Sequence, residues 1–148
     1  MMYLNNFVLY SIIFIAVILT GCAKKIYPNG EDFSEFQKPI KNSSIIYIYT
    51  LQERTGHEMI FINEDKKDYL IGDLVSKSYS IAEVEADKEI KIWAETESIE
   101  SITIDTEAGE IYCIKADIGG GIRIYRPTFE QVDLETCKAE ISKTKLVR

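Results

Sequence analysis

Three cysteines and one histidine are the side chains of this 148-residue sequence that are best suited to covalent or metal chemistry. A cysteine nucleophile needs a neighbouring base, and His57 is the only histidine that could supply one. No G-x-S-x-G motif marks a nucleophilic serine, and a lone histidine is a poor start for a metal site. The sequence therefore predicts no catalytic residue, no cofactor and no metal. We expect His57 to be solvated or to lie on an edge strand.

Carboxylates cluster along one stretch of the chain and are a second candidate for chemistry. A run of four is followed by two more in a later turn: Glu83, Glu85, Asp87, Glu89, Asp105 and Glu107. Two carboxylates could serve a glycoside hydrolase, but no D-x-[DN]-x-[DN]-G calcium loop is present. A solvated strand face is the more economical explanation of the run. A small envelope hydrolase is kept as a minor alternative.

An apolar segment precedes the first cysteine. Residues 7–20 read FVLYSIIFIAVILT, and as a helix they would rise about 20 Å, short of the ~30 Å of a bilayer core. Leu19-Thr20-Gly21-Cys22 follows at once. This tetrapeptide resembles the bacterial lipobox, which implies cleavage between Gly21 and Cys22 and a diacylglycerol on the Cys22 thiol. The alternative is an uncleaved N-terminal anchor helix in which Cys22 is coincidental.

The lipobox also implies a location. Residues 1–21 would be removed as a signal peptide, and a lipidated Cys22 would anchor the protein firmly in the membrane of a bacterial cell envelope. Ala23 resembles the outer-membrane default of Gram-negative lipoproteins, which face the periplasm. In an oxidising compartment the two remaining thiols, Cys113 and Cys137, could form a disulfide. The alternative is one thiol buried in a strand and one exposed on a helix.

The charged residues divide the chain. All of the 17 basic and 24 acidic side chains follow position 21, and the net charge is −7. This negative balance argues against binding to nucleic acid, which favours a basic face. The length after residue 21 fits one domain. Residues 22–44 are polar and without sustained periodicity, so we expect a tether, part of which Phe33 and Phe36 could dock on the domain.

Residues 45–148 are expected to form the domain, and their pattern is one of short strands separated by turn signals. The expected strands are 45–49, 58–62, 69–74, 79–85, 90–94, 102–104, 111–114 and 122–125, with Gly119 to Gly121 as a hairpin connection. Spacings of 8 to 12 residues between turns favour an antiparallel β-sandwich or a small barrel. In the tail, residues 129–146, helical spacing predicts one short helix capped by Asp133.

Several of these segments together resemble a known family. They are Ile46-Tyr47-Ile48-Tyr49, Ile71-Gly72-Asp73-Leu74, Ser78-Tyr79, Ala108-Gly109-Glu110-Ile111-Tyr112 and the closing Ile141-Ser142-Lys143. Over about residues 45–146 the chain resembles the bacterial and phage family called domain of unknown function 2846. Its members are commonly small lipoproteins without a known activity. The resemblance implies a prealbumin-like or immunoglobulin-like sandwich rather than a particular reaction.

Tyrosines are the remaining candidates for a functional surface. Tyr47, Tyr49, Tyr112 and Tyr125 could line a binding face, although tyrosines on one face of a sandwich are more often packing residues. The leading hypothesis is thus a non-enzymatic envelope lipoprotein that binds or scaffolds a protein or another envelope component. The alternative is an inhibitor or immunity lipoprotein whose acidic surface meets a basic attacking protein such as a lysozyme.

Overall fold

The computed structural model describes residues 28–53, 58–64, 66–120 and 125–147. The predictions made for Gly21, Cys22 and His57, and those for the signal peptide and residues 122–124, lie outside these ranges, as does the side chain of Tyr125. Within the described ranges, no helix is long and apolar enough to cross a membrane.

Two β-sheets account for most of the fold. Their strands are β1 (Ser43–Tyr49), β2 (Glu58–Glu64), β3 (Lys67–Leu74), β4 (Ser78–Glu85), β5 (Glu89–Glu95), β6 (Ile99–Asp105), β7 (Ile111–Gly120), β8 (Tyr125–Val132) and β9 (Lys145–Leu146). The first sheet has the order β8-β7-β1-β4-β9 and the second has the order β3-β2-β5-β6. The predicted mainly β sandwich is confirmed, although β1 pairs parallel with β7 and β4 pairs parallel with β9.

The two sheets pack face to face through an aliphatic core. Alternation directs every second side chain of a strand inward, and the inward residues are mostly isoleucines. The first sheet contributes Ile46, Ile48, Val84, Ile114 and Ala116, and the second contributes Ile60, Ile62, Ile90, Ile92, Ala94 and Ile104. This core holds the second sheet against the first. The other face of the second sheet points outward.

The outer face of the first sheet is covered by a second cluster. Tyr47, Tyr49 and Tyr79 lie there against Cys137 and Ile141 of helix α1 (Leu134–Ile141). Every residue of β1 is buried as a result. A disulfide joins Cys113 of β7 to Cys137 of α1, so the pairing that the sequence left open is formed.

Helix α1 begins where the sequence placed it. The Asp133 side chain accepts a hydrogen bond from the Thr136 backbone N–H at 2.8 Å, which is the geometry of an N-cap. This bond lowers the pKa of the Asp133 carboxyl below its ordinary value. The predicted C-terminal helix is confirmed, but the start of the tail belongs to β8, because eight residue pairs join β8 to β7.

The segment predicted as a tether is docked on the domain from residue 28 onward. We call residues 28–42 the N-terminal arm. The Gly30 N–H donates to the Leu146 carbonyl, and the Leu146 N–H donates to the Glu31 carbonyl, each at 2.9 Å. The rings of Phe33 and Phe36 then pack edge-on against Tyr47, with centroids 6.1 and 5.1 Å away. The predicted docking of part of the tether through Phe33 and Phe36 is thus confirmed, whereas the bound of the tether at residue 44 is corrected, because β1 begins at Ser43.

Candidate binding surface

The second sheet has one covered face and one open face. Its inner face packs into the aliphatic core, whereas none of the described residues forms a helix or arm over its outer face, as α1 and the N-terminal arm do for the first sheet. Three of the most exposed large apolar side chains lie on this outer face: Met59, Leu70 and Ile99, with 51%, 56% and 60% of their surface accessible. An exposed apolar group rimmed by polar residues is typical of an interaction site.

The strand register arranges the outer face in rows. Phe61 of β2 lies directly opposite Leu70 on one side and Trp93 on the other, and Trp93 lies opposite Ser101. These residues form an apolar row across the sheet, which we call the aromatic row (Leu70, Phe61 and Trp93). A β-bulge at Ile60/Phe61 turns Ile71 into the core and keeps Leu70 beside Phe61.

The aromatic pair at the centre of the row is held in place. The rings of Phe61 and Trp93 are stacked, with centroids 4.5 Å apart and planes inclined by 16°. The indole N–H of Trp93 donates to Asp68 Oδ1 at 3.0 Å, and the Asn63 amide donates to the same oxygen at 2.8 Å. These two hydrogen bonds, first from Asn63 and then from Trp93, lower the pKa of Asp68. Asp68 is therefore an ionised partner that fixes the indole on the open face.

Carboxylates surround the aromatic row. Asp73 pairs with Met59 across β3 and β2, and Glu95 pairs with Ile99 across β5 and β6, at one end of the face. Glu89 pairs with Asp105 at the other end. Lys91 is the cationic side chain that strand β5 places among them. The outer face thus combines an apolar centre with a mainly acidic border.

Tyr47 and Tyr49 do not form the binding face that the sequence left possible; they are packing residues, which is the alternative that the sequence favoured. Both side chains are buried, with 1% and 0% of their surface accessible, because α1 and the N-terminal arm cover the side of β1 that they occupy. Tyr112 lies on the opposite side of its sheet, packs against the aliphatic core, and accepts a hydrogen bond from the Glu107 N–H at 2.9 Å. Three of the four predicted residues therefore form no common surface, and the fourth, Tyr125, has no described side chain.

A polar cluster beside α1 serves the fold. The Tyr49 hydroxyl donates to Glu140 at 2.8 Å, and the Lys115 ammonium lies 3.0 Å from the same carboxylate. Burial, together with the neighbouring Glu140, raises the pKa of Tyr49. Burial opposes ionisation of Glu140, but the bonds from Tyr49 and Lys115 outweigh it and lower its pKa. The cluster joins the helix to β1 and β7, and its hydroxyl, carboxylate and ammonium groups are bonded to one another.

The acidic run of β4 is largely used by the structure. Glu83 accepts hydrogen bonds from the Ser43 hydroxyl and from the Ile40 N–H, which hold the end of the N-terminal arm. Glu85 forms an ion pair with Lys88 at 2.6 Å. Among the described residues, no three histidine, cysteine, aspartate or glutamate side chains are grouped as metal ligands.

Sequence reasoning missed the aromatic row, although a signal for it existed. In residues 58–62 the core residues Ile60 and Ile62 alternate with Met59 and Phe61, so both strand faces are apolar. In β5 the buried Ile92 is followed by Trp93 on the face that also carries Lys91. A large aromatic residue on the polar face of a strand is the signal that could have located this surface.

Models of known protein families do not match the sequence, and a comparison with curated proteins finds no similar chain. The resemblance to domain of unknown function 2846 accordingly stays a prediction from the residues that carry it.

Proposed function

We propose that this protein is a lipid-anchored binding module of a bacterial cell envelope and that it acts without catalysis. The observation that carries the proposal is the open face of the second sheet, where an exposed Leu70 and the half-buried rings of Phe61 and Trp93 form one row with an acidic border. Aromatic residues and methionine at the centre of a polar rim are typical of interaction surfaces. In a Gram-negative source, Ala23 favours the outer membrane, with the domain facing the periplasm.

The anchor in this proposal is Cys22, which the lipobox designates. Pro28, where the described arm begins, is six positions after Cys22, and a fully extended chain of that length spans at most about 20 Å. Because the N-terminal arm is bonded to β9 from Gly30 onward, a lipidated Cys22 would keep the domain close to the bilayer. The module would therefore act on partners at the membrane surface.

Site-specific photo-crosslinking in cells tests this function. A photoreactive residue at position 70 lies on the aromatic row, and one at position 134 is a matched control, because Leu134 is also an exposed leucine but begins α1. We expect a reproducible light-dependent adduct from position 70 and none from position 134. Adducts of equal yield at both positions, or none at position 70, would contradict the proposal.

A second candidate is an inhibitor or immunity lipoprotein that meets a basic attacking protein. The acidic border of the open face favours it, because complementary charge speeds the encounter with a basic partner. Inhibition assays against basic muramidases test this candidate. Activity that stays unchanged at micromolar concentrations of the anchored protein would exclude this version.

A further inference from the structure

The size of the open face limits what it can hold. The second sheet has four strands that lie about 4.8 Å apart, so its open face is roughly 14 Å across. The aromatic row crosses three of these strands. Three rows of side chains along the strands cover a similar length. This area is well below the ~800 Å² per partner of a standard interface. It matches the central contact of an interface, or a segment of about four extended residues.

The charge of the face limits the chemistry of its occupant. Glu89 and Glu95 project from β5 on either side of Trp93, and Asp105 lies opposite Glu89. Asp73 adds a half-buried carboxylate beside Met59. Lys91 lies among them, and Lys66 and Lys67 lie beyond Asp68 at the tip of the β2–β3 hairpin. Among the described residues, carboxylates therefore outnumber ammonium groups on this face, and a cationic group is attracted to it.

The aromatic row is a second feature of the face that favours a cationic occupant. Ammonium and guanidinium groups bind to the faces of tryptophan and phenylalanine, and arginine also pairs with carboxylates in the same plane. On this face, the stacked rings of Phe61 and Trp93 lie within reach of carboxylates on the neighbouring strands. Leu70 and Met59 provide exposed apolar surface next to the rings. An apolar side chain adjacent to the cation would bury this surface.

We propose that the open face binds a cationic segment of another protein, in which arginine or lysine alternates with apolar side chains. The proposal rests on the proposed function, for which it names the class of partner. A bilayer is the competing occupant of an exposed aromatic surface near a membrane. The acidic border disfavours it, because the carboxylates are repelled by anionic lipid headgroups.

Trp93 allows a direct test, because it is the only tryptophan of the chain and its emission reports this face alone. The probes are a ten-residue peptide of alternating arginine and leucine and a matched peptide of alternating glutamate and leucine. Phosphatidylcholine vesicles, with and without phosphatidylglycerol, are the third probe. The peptides are titrated into the full chain in detergent, at low and at physiological salt. The vesicles are titrated into the full chain after its transfer from detergent to amphipol, because detergent would dissolve them. We expect saturable quenching or a blue shift with the arginine peptide only, weaker at the higher salt.

Two variant pairs locate the binding. Glu89→Gln with Glu95→Gln removes two exposed carboxylates from β5, and Glu110→Gln with Glu135→Gln removes two exposed carboxylates elsewhere. We expect the first pair to weaken the arginine peptide about fivefold and the second to leave its affinity unchanged. Leu70→Ser is likewise expected to weaken binding, whereas Leu134→Ser on α1 is not.

Three results would overturn the inference: equal binding of the glutamate peptide, equal effects of the two variant pairs, or a response to vesicles without a response to peptides. Each leaves the proposed function standing if the crosslink from position 70 is found. If that crosslink is missing as well, the proposed function fails with the inference. The two claims are thus tested separately.

Discussion

Reduction of the Cys113–Cys137 disulfide is expected to lower the free energy of unfolding by about 3.5 kcal/mol. The bond joins residues that are 24 positions apart, and in the chain-entropy model a closed loop of that length restricts the unfolded chain by this amount at 25 °C. Both cysteines are buried, Cys113 in the central part of the first sheet and Cys137 on the inner side of α1. Reduction keeps the buried sulfur atoms in place, so the measured change reports the crosslink rather than a cavity.

Urea unfolding of the oxidised and reduced protein, followed by circular dichroism, measures this change. With a slope of about 1.5 kcal/mol per molar urea, the midpoint is expected to fall by about 2 M. A variant with Cys113→Ala and Cys137→Ala is the control; it should lose at least as much stability and should no longer respond to reductant. A difference in unfolding free energy below about 1 kcal/mol between the oxidised and reduced protein would contradict the predicted effect of the disulfide. Two titratable thiols in the unreduced protein would contradict the disulfide itself.

Three further outcomes test the arm, the core and the buried tyrosines. A Cβ on Gly30 would clash with the Leu146 carbonyl oxygen. Gly30→Ala should therefore release the N-terminal arm and speed its cleavage by trypsin. Ser34→Ala, at an exposed position of the same arm, should leave the cleavage rate unchanged. Ile92→Ala in the aliphatic core should lower the free energy of unfolding, measured in urea, by about 2–5 kcal/mol. The exposed Thr103→Ala is the control and should lower it by less than about 0.5 kcal/mol. Similar losses for the two variants would contradict the described packing. Burial raises the pKa values of Tyr47, Tyr49 and Tyr79 above that of an unfolded tyrosine, which is about 10. Their contribution to the free energy of unfolding is therefore fully present below about pH 10 and is lost as the pH rises further, because ionisation then favours the unfolded chain. Absorbance at 295 nm should then show three tyrosines that ionise only as the protein unfolds, and early titration of every tyrosine would contradict their burial.

The strands could be predicted because alternation in the sequence reports burial on one face. Ile90, Ile92 and Ala94 alternate with polar neighbours and face the core as expected. The same rule left open whether Tyr47 and Tyr49, which alternate with Ile46 and Ile48, form a binding face or pack inside the fold. They pack, because the second sheet covers the inner side of β1 and because α1 and the N-terminal arm cover its outer side.

The sequence carries a signal for the aromatic residues of the open face, but their assembly into one row depends on the order of the strands. Phe61 and Leu70 belong to one hairpin, whereas Trp93 lies on β5, beyond β4 in the chain, and only the pairing of β2 with β5 brings it beside Phe61. Whether that row is covered depends in turn on where α1 and the N-terminal arm pack. They pack on the other sheet, through contacts with Tyr47 and Cys113 that no local pattern reports.

Intact mass of the protein from the membrane fraction, taken without reductant, is the most direct test of the central claim that this is an envelope lipoprotein. We expect a chain that has lost residues 1–21 and carries acyl chains, with about 2 Da missing for the Cys113–Cys137 bond. A Cys22→Ala variant should lack both the processing and the acyl chains. A wild-type chain that keeps residues 1–21 and carries no lipid would contradict the claim and favour an N-terminal membrane helix instead.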